Sequence, residues 1–179
     1  GMPQGPLELF DEFGIDVAIA VGRSLYYAFP DRIVPSELLI AMYKSGRLGR
    51  KSGGGFYRAG QLDPQVLQLI QERRRSTCRL PENEIRRRLF LPMLLEATRA
   101  LQELLADQPS TIDNVLRTGL GMRRSDCGIF SWANTIGAAT IIDWLKPLQS
   151  LGKRFEPTEL LLDPARKGNN FCAIQNAAA

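Results

Sequence analysis

The chain repeats itself. Pro35-Ser36-Glu37-Leu38-Leu39-Ile40 returns as Pro157-Thr158-Glu159-Leu160-Leu161-Leu162, an offset of 122 residues. The match is collinear over a longer stretch. Arg32 answers Arg154 and Gly46 answers Gly168; at an offset of 123, Leu9, Asp11, Phe13 and Gly14 answer Trp132, Asn134, Ile136 and Gly137. With seven loop residues dropped, Phe56 answers Phe171. A duplication requires both copies to take one fold, each unit carrying an apolar face too large to leave wet. The copies are unequal. With three extra residues inserted in the second copy, Gly1-Met2 answers Gly121-Met122; a long helix and a short helix precede Gly121, whereas the first copy begins at Gly1. Its own long helix is expected before residue 1, as in a piece of a larger protein.

The apolar spacing is helical. Ile15, Val17, Ala18, Ile19, Val21, Leu25 and Tyr26 predict a helix over residues 14–29, stopped by Pro30-Asp31. Ser36 is placed as an N-cap of a second helix and Gly46 as its C′ stop. Asp63-Pro64 opens a helix through about Arg75. Leucines and alanines at three- and four-residue spacing predict a long helix over 84–106, with Pro92 kinking it. Further helices are expected over 111–118, ended by Gly119, over 136–148, capped by Asn134 or Thr135, and from Thr158 to near Gly168. Alternation of period two is essentially missing. The fold class expected is therefore all-α, in two tandem units, 1–76 (partial) and 77–179.

The 179 residues include no histidine, so no Ser-His-Asp triad, Cys-His pair, histidine metal site or histidine base can come from this chain alone. Cys78, Cys127 and Cys172 are far apart and form no CxxC pair, which reads as free thiols. The purely apolar run Val17–Val21 is far too short to cross a bilayer. The expected location is the cytoplasm, or an organelle matrix. A net charge of +4 permits an anionic ligand without requiring nucleic acid.

Some features invite sharper readings. Lys51-Ser52-Gly53-Gly54-Gly55 looks like a phosphate loop, but it lacks the G-x-x-x-x-G-K-[ST] order and no strand precedes it. It reads first as a turn, with Lys51 available to a phosphate as a point charge. Arg73-Arg74-Arg75 and Arg86-Arg87-Arg88 spread around helices without aromatic interleaving, so they read as solvated faces paired with Glu72, Glu82 and Glu84, not as a nucleic-acid site. Trp132 and Trp144 read as core. Glu8, Asp11, Glu12 and Asp16 read as carboxylates favouring a helix start, ahead of any metal or acid-base site.

Four stretches carry a family resemblance. Gly1-Met2-Pro3-Gln4-Gly5-Pro6-Leu7-Glu8-Leu9-Phe10-Asp11-Glu12-Phe13-Gly14-Ile15-Asp16, Gly46-Arg47-Leu48-Gly49-Arg50-Lys51-Ser52-Gly53-Gly54-Gly55-Phe56-Tyr57, the helix Arg88–Ala97 and the segment Leu148–Pro157 resemble the C-terminal region of 3-hydroxyacyl-CoA dehydrogenases. The multifunctional fatty-acid-oxidation α subunits, enoyl-CoA hydratase/3-hydroxyacyl-CoA dehydrogenases, are the most similar type. The resemblance implies two helical units of the 6-phosphogluconate-dehydrogenase C-terminal-like type, the first truncated at its N-terminus. It implies NAD-dependent oxidation of 3-hydroxyacyl-CoA in β-oxidation. NAD and the catalytic His-Glu pair then belong to an upstream nucleotide-binding domain, and no catalytic, cofactor or metal residue is carried over to this chain. The second-unit position matching the family's assisting asparagine is Arg87. The carried-over role is substrate binding: Pro3, Gly5, Pro6 and Leu9 match the loop that lines the acyl-pantetheine channel, although Gly5-Pro6 equally serves to shape a helix entry. Gln4 replaces the family's methionine, and Arg123-Arg124-Ser125-Asp126-Cys127-Gly128 replaces a proline-rich, arginine-glycine-glycine turn. Implied partners are the upstream domain and acyl-CoA, with a thiolase subunit or a second copy as assembly partners. An assembly module without catalysis is the alternative reading.

Overall fold

The computed structural model describes residues 2–74, 77, 79–121, 128–167 and 171. The expected ends and turns at Gly1, Met122, Arg123–Cys127 and Gly168, and all three cysteines, lie outside the described residues. The chain forms two compact units: Gln4–Arg79, called the first unit, and Leu80–Ala179 together with Gly1–Pro3, called the second. Both are helical, so the all-α class holds.

The first unit contains helices α1 (Pro6–Phe13), α2 (Ile15–Ala28), α3 (Glu37–Lys44) and α4 (Pro64–Arg73). The helix expected over 14–29 is α2, and Gly14 lies outside it as the junction with α1. Gly14 takes φ 101° and ψ 136°, which an L side chain rarely adopts, and it ends α1 while starting α2. Ser36 caps α3 by accepting from Leu39 N at 3.3 Å, and Asp63 caps α4 by accepting from Gln65 N at 2.9 Å. Between these helices, Arg50–Ser52 form a 3-10 turn, and the short strands β1 (Tyr57–Arg58) and β2 (Gln61–Leu62) pair antiparallel. This hairpin has two-residue strands, too short for alternation to register in sequence. Ile15, Met42, Phe56 and Val66 make the small core, with Phe10, Ile19, Leu38 and Leu39 packed against it.

The second unit is organised by α5 (Glu82–Gln102), with α6 (Pro109–Gly119), α7 (Ile129–Ile136), α8 (Ala138–Leu145) and α9 (Glu159–Lys167). Pro92 lies inside α5 without interrupting it. The helix stops at Gln102, short of the expected 106, and Leu104 turns the chain with φ 57°. Leu91, Leu94, Leu95 and Leu101 are fully buried among residues of α7, α8 and α9. The expected helix over 136–148 is a second correction. Asn134 does not cap it but lies in α7; Gly137, at φ 87°, separates α7 from α8, and residues 146–151 are 3-10. Pro147, near the start of the 3-10 segment, has no N–H to give the α ladder at that point. Thr158 precedes α9, but its hydroxyl bonds the Thr98 hydroxyl of α5 at 2.8 Å, both groups buried. Arg99 reaches from α5 to the Glu156 carbonyl at 3.2 Å. Trp132 and Trp144 both pack against this core.

Leu94→Ala should cost the second unit about 2–5 kcal/mol, the usual range for a buried leucine that leaves a cavity. Leu105→Ala, at a side chain 74% exposed, should stay within about 0.5 kcal/mol. Urea denaturation followed by fluorescence of Trp132 and Trp144 reads both.

Candidate functional site

The proposed substrate residues enter α1. Gly5 is its N-cap in extended backbone (φ −73°, ψ 159°) and Pro6 occupies the first helical position. The Glu8 carboxylate accepts from Gly5 N at 3.2 Å, and Leu9 N donates to Gly5 O at 3.0 Å. Glycine has no side chain to return the cap, so this is half of a capping box. Gly5, Pro6 and Leu9 thus share one helical turn; Gly5 and Pro6 are exposed and Leu9 is half-buried. Pro3 groups with the second unit, its Cγ 3.5 Å from where a Cβ on Gly121 would stand. Gln4 donates to Glu12 at 2.7 Å.

Asp11 anchors the turn from behind. It is 3% exposed, and its two carboxylate oxygens accept from Phe56 N and Tyr57 N, each at 2.7 Å. Two short charge-assisted bonds are what a buried carboxylate requires. They leave no room beside it: a Cβ on Gly55 would run into the carboxylate, and one on Gly49 into the Asp11 backbone.

The glycine-rich loop commits most of its amides to this arrangement. Gly49 N donates to Gly54 O, Ser52 N to Gly49 O, Gly53 N to Arg50 O, Gly54 N to Gly49 O and Gly55 N to Tyr57 O. The Ser52 hydroxyl accepts from Leu48 N at 2.9 Å. Lys51 pairs with Asp16 at 2.5 Å, and this lysine bond is the main cause holding the Asp16 carboxyl below its ordinary value. Arg47 pairs with Asp63 at 3.0 Å and also donates to Gln65. A phosphate cradle needs unspent backbone N–H groups, and the amides of residues 49 and 52–55 are already spent on the fold. A dinucleotide needs a parallel strand-turn-helix with a free amide end. The described residues contain only the β1–β2 ribbon, so they do not fit NAD.

The four acids singled out in the sequence each have a partner: Gly5 N for Glu8, two amides for Asp11, Gln4 for Glu12 and Lys51 for Asp16. Among the described residues no cluster of three or more such groups is placed to hold a metal. In the second unit Arg86 pairs with Glu82 at 2.6 Å and Arg88 with Glu84 at 3.0 Å. Arg87 lies over the Trp144 ring, 4.2 Å from its centroid. No described helix is long and apolar enough to cross a membrane.

Sequence reasoning missed an apolar groove of about 400 Å³ in the first unit, lined by Phe10, Ala18, Ile19, Gly22, Tyr26 and Leu39 among others. None of Pro3, Gly5, Pro6 or Leu9 lines it. The small residues Ala18 and Gly22 inside an apolar helix were its only signal in the sequence. The Asp11 bonds had a better one, since Asn134 answers Asp11 and its Oδ1 accepts from Phe171 N at 2.8 Å.

The family model described as "3-hydroxyacyl-CoA dehydrogenase, C-terminal domain" matches residues 1–59 and 85–169. Among solved structures, the fold is similar to 3-hydroxybutyryl-CoA dehydrogenase from Escherichia coli K12, with TM-score 0.72 and 23% identity, over 93% of this chain and 52% of that one. It is also similar to the dehydrogenase part of multifunctional enzyme 1 from C. elegans, with TM-score 0.64 and 20% identity, over 89% of this chain and 38% of that one. The chain therefore spans about half the length of the first relative and less of the second. At these identities the likeness is one of fold.

Asp11→Ala strands two amides and should cost the first unit about 1–3 kcal/mol; faster hydrogen exchange at Phe56 and Tyr57 is the measurement. For Asp16, the folded-state value lies below the unfolded one. Its contribution is therefore present above the ordinary carboxylate range and is lost as pH falls through the lowered value. Lys51→Met should move the Asp16 carboxyl titration upward in a 13C NMR series, and salt should do the same in part, because both partners are solvent-accessible.

Proposed function

The chain belongs to the 3-hydroxyacyl-CoA dehydrogenase C-terminal domain family, and from that membership we propose that it is the helical C-terminal part of an NAD-dependent 3-hydroxyacyl-CoA dehydrogenase of fatty acid β-oxidation. Its contribution is a wall of the acyl-pantetheine channel and packing, not the catalytic dyad. NAD and the reacting groups are assigned to an upstream nucleotide-binding domain of the same protein, and the working compartment to the cytoplasm or an organelle matrix.

The observation that carries the channel assignment is the entry to α1. Gly5 presents an exposed, extended backbone, followed by exposed Pro6 at the first helical position and apolar Leu9 one turn on. A narrow pantetheine arm calls for such a rigid, close backbone approach. The turn is held by the Asp11 bonds, so its shape does not depend on ligand.

The tandem reading, 1–76 and 77–179 as two units of one kind, is supported by equivalent details within each unit. Gly14 and Gly137 break a helix pair at φ 101° and 87°. Asp11 and Asn134 each accept the amide of the repeated phenylalanine, Phe56 and Phe171, at 2.7 and 2.8 Å. The family match over two separate stretches agrees with this. Arg87, stacked on Trp144, favours a packing role for the second unit. A second reading, assembly with a thiolase subunit or a second copy, has the exposed Phe13, Val17 and Val21 of α1 and α2 in its favour.

In the full-length enzyme, Gly5→Trp and Leu9→Arg should each raise KM for a 3-hydroxyacyl-CoA about tenfold, a loss of ~1.4 kcal/mol, with kcat within a few-fold. The chain by itself should not reduce NAD. Unchanged KM in both variants would remove the channel assignment, and activity of the chain alone would remove the division of labour.

A further inference from the structure

The face of α1 that carries the proposed channel contacts is not uniformly apolar. Gly5, Glu8, Leu9 and Glu12 recur at i, i+3, i+4 and i+7, so they share one stripe of the helix and its N-cap. The side chain of Gln4 reaches that stripe, because its Nε2 donates to Glu12 Oε2 at 2.7 Å, eight residues on. A carboxylate only accepts, so the end of the amide turned to Glu12 is its N–H end, and the carbonyl Oε1 is the end left over. Among the described residues no donor bonds that oxygen. The backbone beside it is already engaged: Gly5 N is taken by Glu8, Gly5 O by Leu9 N, and Pro6 has no N–H. Glu8 and Glu12 are exposed acceptors, whereas Gln4 is half-buried with one end of its amide held.

We propose that Gln4 is a specificity-determining residue of the channel: its Oε1 accepts one amide N–H of the pantetheine arm, and Glu12 is the positioning residue that fixes the amide. The inference rests on the channel reading of Gly5 and Leu9 and adds to it the group that recognises the arm by its chemistry. Pantetheine is a thin chain interrupted by two amides. A wall of glycine, proline and leucine admits its width but gives its N–H groups no acceptor, and a donor taken from water without one costs affinity. A fixed acceptor removes that cost, and holding it in place beforehand avoids freezing a long side chain on binding. The family resemblance expects methionine at this position, and a thioether is only a weak acceptor. Arg50 stands 3.9 Å from the same Glu12 oxygen, a positive charge that favours the carboxylate Gln4 leans on.

The test uses the full-length enzyme with NAD and the 3-hydroxybutyryl thioester of pantetheine, and two analogues in which one or the other amide N–H is replaced by an ester oxygen. Gln4→Met should lower kcat/KM for the pantetheine thioester about fivefold, the size of one neutral hydrogen bond, through KM and not kcat. With one of the two ester analogues the unaltered enzyme should lose the same factor, and Gln4→Met should lose nothing further. A structural role alone would move all three substrates alike, and that result, or an unchanged kcat/KM in Gln4→Met, would overturn the proposal. Glu12→Ala should reproduce part of the Gln4→Met loss, and the double variant should be no worse than Gln4→Met alone; additive losses would overturn the positioning role. Neither side chain is buried, so both variants should fold, as circular dichroism checks. If Gly5→Trp and Leu9→Arg raise KM while Gln4 couples to neither analogue, this inference alone fails. If those two variants leave KM unchanged, the channel reading fails and takes this one with it.

Discussion

A carboxylate taken out of water must find donors, and Asp11 finds them in the two amides that open β1. That pair of bonds joins the first helix to a segment 45 residues later. It fixes the pitch of α1, brings Phe56 into contact range of Phe10 and demands glycine at 49 and 55. The rest of the loop then closes on itself, with Ser52 stitching its base, Lys51 reaching Asp16 and Arg47 reaching Asp63 at the start of α4. The exposed entry at Gly5-Pro6 is rigid because its helix is anchored from the far side.

The second unit solves the same problem with less charge and more leucine. Asn134 takes the place of Asp11 at the amide of Phe171, a neutral acceptor where one bond suffices. Asp113 of α6 supplies a second anchor, accepting from Phe130 N and Ser131 N at the head of α7 at 2.9 and 3.0 Å. Above these caps α5 fills the core, and area burial dominates: each fully buried leucine contributes about 1.5–3 kcal/mol relative to exposure. The first unit's buried core has only Ile15, Met42, Phe56 and Val66, and it leans correspondingly on Asp11, Asp63 and Asp16 for definition.

Much of this was legible in the residues. Helical spacing identified the class, and the caps at Ser36 and Asp63 fell where short polar side chains precede apolar runs. The repeat pairs Asp11 with Asn134 and Phe56 with Phe171, the partners of the two equivalent hydrogen bonds. Where the reading failed, the reason was geometric. Apolar periodicity continues across Gly14 and Gly137 and so predicts a helix start and a helix interior there; only their φ of 101° and 87° reveals the break. Asn134 has the composition of an N-cap, and nothing local says that its oxygen is used by a phenylalanine 37 residues on. The groove was invisible because its lining is ordinary core composition, and the pattern records that a residue prefers burial without recording what buries it.

The loop Gly46–Gly60 shows why a motif must be followed atom by atom. Its glycines, lysine and serine are the residue types of a phosphate site, and its positive charge would favour an anion. Satisfaction of the donors decides otherwise: the amides of residues 49 and 52–55 each have a carbonyl partner, and the lysine has a carboxylate. Binding a phosphate there would first break bonds that hold α1, α2 and α4 together, each worth about 0.5–1.5 kcal/mol net and more where a charge is involved. The family signature in this loop is therefore a signature of folding, kept by steric and hydrogen-bond necessity. The proposed channel contact at Gly5-Pro6 lies outside the motif, on the helix that the motif holds in place.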